Sequence, residues 1–222
     1  MSGKIFAVCA MSIAVLAITP SSADAQRTAA ANRMWIAAGA QQDMQRFAND
    51  PAPNRLNGSA SGWTALGGLR AFDRLAFRVE WAAGGRIEDV RENTLEVGGQ
   101  TVTVTSSLAH RTRTLAALGG YSHRAFARAR LAYLAGIAFT HVQRTFTTTA
   151  PAVVLVDPSR PNATGRITIR DDVAGPVFGA DALVPVARRF EVVAGARAQR
   201  FTLQTDLAAW SVRSFAGLAW TF

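Results

Sequence analysis

Charged side chains recur at alternate positions along many segments of this chain, and most of them are arginines. The arginine guanidinium stays charged at physiological pH and donates hydrogen bonds in a planar fork that matches carboxylates and phosphates. Such residues on one shared face could pair with acids in a buried network or bind an anion. The charged residues that we assign to this face are Arg70, Arg78, Glu80, Arg111, Arg113, Arg128, Arg130, Asp181, Glu191, Arg197 and Arg213.

The assigned set contains eight arginines and three acids, so the sequence predicts a surplus of positive charge on this face. Charges leave bulk water at low cost only when they are paired or stay hydrated. We therefore expect a polar, salt-bridged network in the first place. The alternative is that the surplus arginines bind or conduct small anionic solutes.

Catalysis by a hydroxyl nucleophile would need a base and an orienting acid beside that nucleophile. The chain has three histidines, His110, His123 and His141. Ser122 directly precedes His123 in an expected turn, so the two side chains should diverge. The other two histidines have no convincing nucleophile and acid nearby, and three scattered histidines give no metal-ligand spacing. The sequence predicts no catalytic residue, no cofactor and no metal site.

The charge balance of the chain is strongly basic, with 24 Lys and Arg against 15 Asp and Glu and a net charge of +9. A basic chain can indicate nucleic-acid binding. Neither a basic helix nor a recognition motif is present, so we expect no nucleic-acid partner. Cys9 is the only cysteine, which excludes a disulfide framework.

The elements that would position the charged face are segments of about ten residues with alternating apolar and polar positions, the length of a tilted membrane-spanning β-strand. Short turns and long polar stretches separate them in alternation. The sequence therefore predicts an all-β fold: a closed antiparallel transmembrane β-barrel of eight strands, with ten possible, long extracellular loops and short periplasmic turns. The expected strands are 32–41, 62–72, 75–83, 108–120, 126–142, 177–186, 190–201 and a last strand ending at residue 222. The flanks 94–97 and 100–105 of a hairpin tip at Gly98-Gly99 could carry the third and fourth strands beyond the membrane.

Aromatic residues fall near both ends of these strands on the apolar face, which is typical of the two interfacial girdles of membrane barrels. A soluble β-sandwich would instead bury them in one interior. Trp210 and Trp220 stand ten positions apart on the last strand. The outer set is Trp63, Trp81, Phe139 and Trp210, and the inner set is Phe77, Phe126, Phe190, Trp220 and Phe222.

The first 25 residues have the pattern of a secretory signal peptide. Lys4 supplies the positive charge, an apolar run covers Ile5 to Ile18, and Ala23-Asp24-Ala25 fits the cleavage site. An apolar run of this length is shorter than the ~20 residues that a membrane-spanning helix needs. We expect a signal peptide over 1–25 and a single barrel domain over 26–222.

The chain ends on Gly217-x-x-Trp220-x-Phe222, which resembles the C-terminal signal of bacterial outer-membrane barrels. With the strand pattern, it makes the chain similar to small barrels of the OmpA/OmpX type, although Ala216 replaces the usual polar residue before the glycine. The resemblance implies an outer-membrane location, insertion by the barrel assembly machinery, and contact with outer-membrane lipid and lipopolysaccharide. It leaves the role open, because one fold hosts many functions.

The expected function is a structural or surface-interaction barrel, not an enzyme, whose lumen is filled by the arginine-rich network. The alternative is a narrow pore or binding site for small anionic solutes, and the third possibility is a barrel enzyme that modifies lipid A. A monomer is expected.

Overall fold

The computed structural model describes residues 33–48, 57–71, 74–97, 99–126, 128–151, 162–203 and 208–222. The expected signal peptide and the polar stretches 49–56 and 152–161 lie outside these ranges. The described residues contain no helix that is long and apolar enough to cross a membrane.

The described chain forms eight antiparallel strands in which each strand pairs with the next. Pairing between the first and last strands closes the ring, so the prediction of a closed eight-stranded barrel is confirmed and the ten-strand alternative is not realised. The strands are β1 (Arg33–Phe47), β2 (Gly58–Ala71), β3 (Leu75–Val97), β4 (Gln100–Arg124), β5 (Arg130–Pro151), β6 (Asn162–Ala187), β7 (Phe190–Thr202) and β8 (Ala208–Thr221).

The four middle strands are much longer than expected, with 23, 25, 22 and 26 residues in β3 to β6. Residues 94–97 pair with residues 100–103, as the sequence allowed, and other described polar stretches next to the expected strands also pair as strands. Val97 pairs with Gln100 across a two-residue connection in which Gly99 has φ 77°, a conformation that favours glycine. The alternating threonines and valines of residues 101–105 favour extended backbone.

The barrel therefore has two unlike ends. At the turn end, short connections join β2 to β3, β4 to β5 and β6 to β7, and the chain terminus Phe222 lies beside Met34. At the hairpin end, the paired strands β3–β4 and β5–β6 extend beyond the rest of the ring. The pairing of β2 with β3 ends at Trp63 with Ala83, whereas that of β3 with β4 continues to Val97 with Gln100. The side chains of a strand alternate between faces, so every strand has one inward and one outward face.

The outward face carries exposed apolar side chains all round the ring, including Ile36, Val79, Ile137 and Leu218. The aromatic residues assigned to the two girdles are all exposed. Phe126 lies in the connection between β4 and β5, and Phe222 directly follows β8. Trp81, Leu115 and Phe139 are Cα partners in one row across three strands, and the Trp63 and Trp81 rings lie 4.2 Å apart. We call the row of Trp63, Trp81, Phe139 and Trp210 the hairpin-end row.

The inward face is packed with buried side chains. Two apolar clusters, one around Trp35 and Phe215 and one around Leu118 and Leu134, line opposite sides of the wall in the turn-end half. A third cluster, the hairpin-end cluster, lies beyond the hairpin-end row. Its buried members are Phe47, Leu108, Val142, Phe201, Leu203 and Ala209.

Candidate functional site

Five charged side chains form a continuous ion-pair chain across the lumen, which we call the central network. The Arg197 guanidinium donates to Glu80 at 2.8 Å and to Asp181 at 2.6 Å. Arg78 donates to the other oxygen of Asp181 at 3.3 Å, and Arg213 lies 3.2 Å from the second oxygen of Glu80. All five side chains are at most 3% exposed.

Strand alternation and register bring these residues together. Arg78 and Glu80 stand two positions apart on β3, and Arg197 and Arg213 are direct partners on β7 and β8. Each carboxylate bridges two guanidinium groups, so three arginines share two acids. Removing one acid would leave buried positive charge uncompensated.

Aromatic rings complete the surroundings of two of these arginines. The guanidinium carbon of Arg78 lies 4.4 Å from the Trp35 ring centroid, and that of Arg197 lies 4.9 Å from the Phe215 centroid. The ring quadrupole attracts a cation placed over its face, and the attraction is stronger away from water. Aromatic side chains of the apolar cluster thus attract the guanidinium groups of Arg78 and Arg197 in addition to packing against them.

Further polar groups occupy the lumen on both sides of the central network. Toward the turn end, Arg70 lies 3.7 Å from Glu191. Toward the hairpin end, Asp43 accepts hydrogen bonds from Gln45, Thr112 and Ser211 at 2.6, 3.1 and 2.8 Å.

An additional buried ion pair lies beyond the hairpin-end row, where Arg144 meets Asp171 at 2.7 Å. With this pair and Asp43, the buried charges of the described residues balance at five arginines and five acids, whereas the predicted set had eight arginines and three acids. The buried charges are Arg70, Arg78, Arg144, Arg197 and Arg213 against Asp43, Glu80, Asp171, Asp181 and Glu191.

Asp43, Arg144 and Asp171 were not predicted as lumen residues, because the predicted strands stopped too early. The expected first strand ended at Gln41, yet the inward alternation continues through Asp43 and Gln45. The same alternation could have revealed Arg144, two positions beyond the end of the expected fifth strand.

Two predicted lumen residues are on the wrong face. Arg111 and Arg113 are exposed on the outward face of β4, while Thr112 and Thr114 are buried on the inward face. The predicted orientation, with the arginines inward and the threonines outward, would hold for a segment of β4 surrounded by lipid hydrocarbon. Both arginines lie beyond the Trp81–Leu115–Phe139 row, where an outward arginine no longer faces an apolar girdle.

The remaining predicted residues are two arginines near the start of β5 and the three residues of the C-terminal motif. Arg130 is the first residue of β5 and is half-buried, and Arg128 precedes that strand and is also half-buried. Gly217 lies opposite Gly39 at the β1–β8 seam. Trp220 and Phe222 are exposed with ring centroids 4.9 Å apart, and their role as an assembly signal stays a prediction.

The three histidines occupy unlike surroundings. His110 is buried, 2% exposed, and meets the Phe47 ring edge-on at 5.5 Å. His123 stacks between the rings of Tyr121 and Tyr133. His141 faces outward with its Nδ1 2.7 Å from Asp172.

The arrangement around His141 does not supply the parts of a hydroxyl-nucleophile site. Its outward neighbours on β5 are Phe139 and Gln143, and neither carries a nucleophile. Among the described residues, no group of three or more His, Cys, Asp or Glu side chains could hold a metal ion.

His110 should make the stability of the barrel depend on pH. It lies five positions beyond Leu115 on β4, outside the girdled segment, and burial together with the nearby Arg144 lowers its pKa from 6.5 to about 4. The unfolded chain therefore takes up the proton first as the pH falls. Stability that is present above pH 6.5 should be lost between pH 6.5 and 4, by about 3 kcal/mol in all.

Urea titrations of the lipid-embedded barrel between pH 4 and 8 would measure this loss. In His110→Leu the loss over this range should shrink, whereas His123→Asn should keep it. An unchanged pH profile in His110→Leu would contradict the assignment.

The chain is similar to several solved structures of other proteins. Neither a family model nor a curated protein sequence matches the chain. Ail, the attachment invasion locus protein of Yersinia pestis, has a TM-score of 0.47 and 11% identity, over 86% of this chain and 99% of that one. Neisserial surface protein A has a TM-score of 0.43 and 13% identity, over 85% and 97%.

The outer membrane protein OprG from Pseudomonas aeruginosa has a TM-score of 0.46 and 9% identity, over 86% of this chain and 96% of that one. Similarities of this degree carry no inference about activity, and the closed ring is established by the strand register of the chain itself. In that ring of eight antiparallel strands, the chain is similar to small outer-membrane β-barrels of the OmpA/OmpX type.

Proposed function

We propose that the protein is a non-conducting barrel of the bacterial outer membrane with a structural and surface-interaction role. The observation that carries the proposal is the filled lumen, in which the central network and the packed apolar clusters occupy the interior. The same filling argues against the alternative of a pore for small anions, because the buried charges balance.

The outward face supports a membrane location. In hydrocarbon every backbone N–H and C=O must be paired within the protein, and a closed ring meets this requirement. Exposed apolar side chains surround the ring, and the aromatic residues lie on the same face toward both ends. We infer that residues 1–25 direct export and are removed, that the barrel assembly machinery inserts the chain, and that the barrel is a monomer.

The extended hairpins support a surface role. About ten residues per strand suffice to cross a membrane, so roughly half of each of β3 to β6 projects beyond it. The outward face of this projecting sheet is lined with hydroxyl side chains, some of which bond across strands, such as Thr145 with Thr168 and Thr149 with Thr164. An exposed sheet held above the membrane is suited to contact with other molecules.

The backbone edge of the projecting sheet adds to this suitability. The described pairing of β6 with β7 reaches only from Ala187 to Val177, whereas β6 pairs with β5 as far as Asn162. A free strand edge can accept a strand of another chain.

A filled lumen predicts no ionic current. Purified, folded protein in planar bilayers should give no current steps above those of the bare bilayer, because ion pairs and apolar side chains occupy the path. The variant Phe47→Ala/Phe201→Ala, which empties part of the hairpin-end cluster, should also stay closed, since the central network remains. Reproducible current steps from the wild type would overturn the non-conducting proposal in favour of the pore.

Location and orientation can be tested with single cysteines, because the only natural one, Cys9, lies in the expected signal peptide. Glu96→Cys at the hairpin end should react with a membrane-impermeant maleimide on intact cells. Arg189→Cys at the turn end should react only after the outer membrane is permeabilised. Equal labelling of both variants on intact cells, or their recovery in the soluble periplasm, would overturn the proposed location.

A further inference from the structure

A groove of about 360 Å³ lies on the outward face of β3 to β6, level with the hairpin-end row. Its lining combines an apolar part with ionisable side chains. The groove is bounded by Trp81, Arg113, Leu115, Phe139, His141 and Asp172.

The strand register arranges the groove and its surroundings in three rows. The first row is apolar and joins Trp81, Leu115, Phe139 and Ala174 as successive Cα partners. Two positions further toward the hairpin end, a second row joins Ala83, Arg113, His141 and Asp172. The third row joins Arg86, Arg111, Gln143 and Arg170.

Adjacent rows lie about 7 Å apart along the strands. The side chains thus change from apolar to basic over the distance that separates acyl chains from headgroups in a lipid leaflet. A ligand that fits this order has an apolar part toward the turn end and an anionic group toward the hairpin end.

The charges of these rows favour an anion. Within the described ranges Arg111, Arg113 and Arg170 make no ion pair, whereas Arg86 pairs with the exposed Glu88 at 2.9 Å. Glu88 lies outside the three rows, and the acid within them is Asp172, which is hydrogen-bonded to His141 at 2.7 Å. The four arginines of the rows outnumber Asp172 and the neighbouring Glu88, so the surface at this height is positive.

The opposite side of the barrel repeats the combination of basic and aromatic groups. Arg46, Trp210 and Arg200 are successive Cα partners on β1, β8 and β7, and the guanidinium carbon of Arg200 lies 5.7 Å from the Trp210 ring centroid. Outward arginines therefore accompany the hairpin-end row on both sides, which matches a planar layer of negative charge around the barrel.

We propose that the groove binds a phosphorylated glycolipid of the outer leaflet through its phosphate group, with lipid A as the ligand class. Arg113 and Arg111 donate to the phosphate oxygens in the bidentate geometry that guanidinium groups favour. Leu115 and Phe139 contact the adjoining acyl chains. The inference rests on the proposed outer-membrane location.

Retention of lipid A by the detergent-solubilised full barrel, measured by native mass spectrometry, tests the site. The wild type should retain bisphosphorylated lipid A, and Arg111→Ala/Arg113→Ala should weaken its binding at least tenfold, the effect of about 1.4 kcal/mol from lost charge-assisted hydrogen bonds. The matched control Arg188→Ala/Arg189→Ala removes two exposed arginines from the turn end and should bind as the wild type does.

Two further arms separate the possible sources of the phosphate contact. Dephosphorylated lipid A should bind at least tenfold more weakly to the wild type, and millimolar inorganic phosphate should not displace the bisphosphorylated lipid. Displacement by inorganic phosphate, equal loss in the turn-end control, or no loss in the groove variant would each overturn the proposal. Cysteine labelling on intact cells reports location separately, so a failed lipid site is distinguishable from a failed outer-membrane assignment.

Discussion

Replacing Glu80 with glutamine is expected to destabilise the barrel by about 3–5 kcal/mol, the usual cost of removing one partner from a buried ion pair. Glu80 lies between Arg197 at 2.8 Å and Arg213 at 3.2 Å, and its side chain is 1% exposed. In the variant, three buried arginines would share Asp181 alone. The loss should appear in the free energy of unfolding from urea titrations in lipid bilayers at pH 7.

The matched control is Glu88→Gln, which removes an exposed acid from the same strand. Glu88 pairs with Arg86 at 2.9 Å, but both side chains are more than a third exposed, so the loss should stay below about 1 kcal/mol. The double variant Glu80→Gln/Arg213→Met should recover part of the stability, because it removes a charge together with its partner. Equal effects of Glu80→Gln and Glu88→Gln would contradict the buried network.

The residues of the central network could be assigned from sequence because they lie in the girdled part of the barrel. There one face must be apolar and the other is enclosed, so Arg78 and Glu80 between Phe77, Val79 and Trp81 have only one possible side. Which acid meets which arginine could not be predicted, since this depends on the register between strands that are far apart in sequence, such as β3 and β7.

Beyond the hairpin-end row, the alternation of apolar and polar residues no longer shows which face of a strand points inward. Water or headgroups replace hydrocarbon on the outward side, and both faces of β4 tolerate polar residues. Arg111 and Arg113 could therefore point outward while Thr112 and Thr114 point inward, opposite to the prediction. The lengths of β3 to β6 were underestimated for a related reason, because the expected strand length was taken from the thickness of a membrane that these strands exceed.

Replacing Gly217 with valine is expected to prevent stable closure of the barrel. Gly217 and Gly39 face each other at the seam between β8 and β1. A Cβ on Gly217 would collide with the Ala38 carbonyl oxygen and lie 2.8 Å from the Cα of Gly39, and a Cβ on Gly39 would collide with the Ala216 carbonyl oxygen. Backbone atoms cannot move aside as side chains do, so the strands must separate.

Separation is costly because unpaired backbone groups at an open seam would face hydrocarbon, at several kcal/mol each. The valine variant should therefore show little of the heat-modifiable band that folded barrels give on gels. The control is Gly67→Val on β2, where an added Cβ meets nothing within 4 Å. This variant should fold as the wild type does.

Gly217 also belongs to the C-terminal motif, so a second variant must separate packing from recognition by the assembly machinery. Gly39→Val disturbs the same seam from β1 and leaves the motif intact. If closure is the reason for the glycine, both valine variants should fail, including when purified chains are refolded in detergent without any cellular factor. Refolding of Gly217→Val in detergent, combined with its failure in cells, would assign the glycine to recognition and overturn the packing explanation.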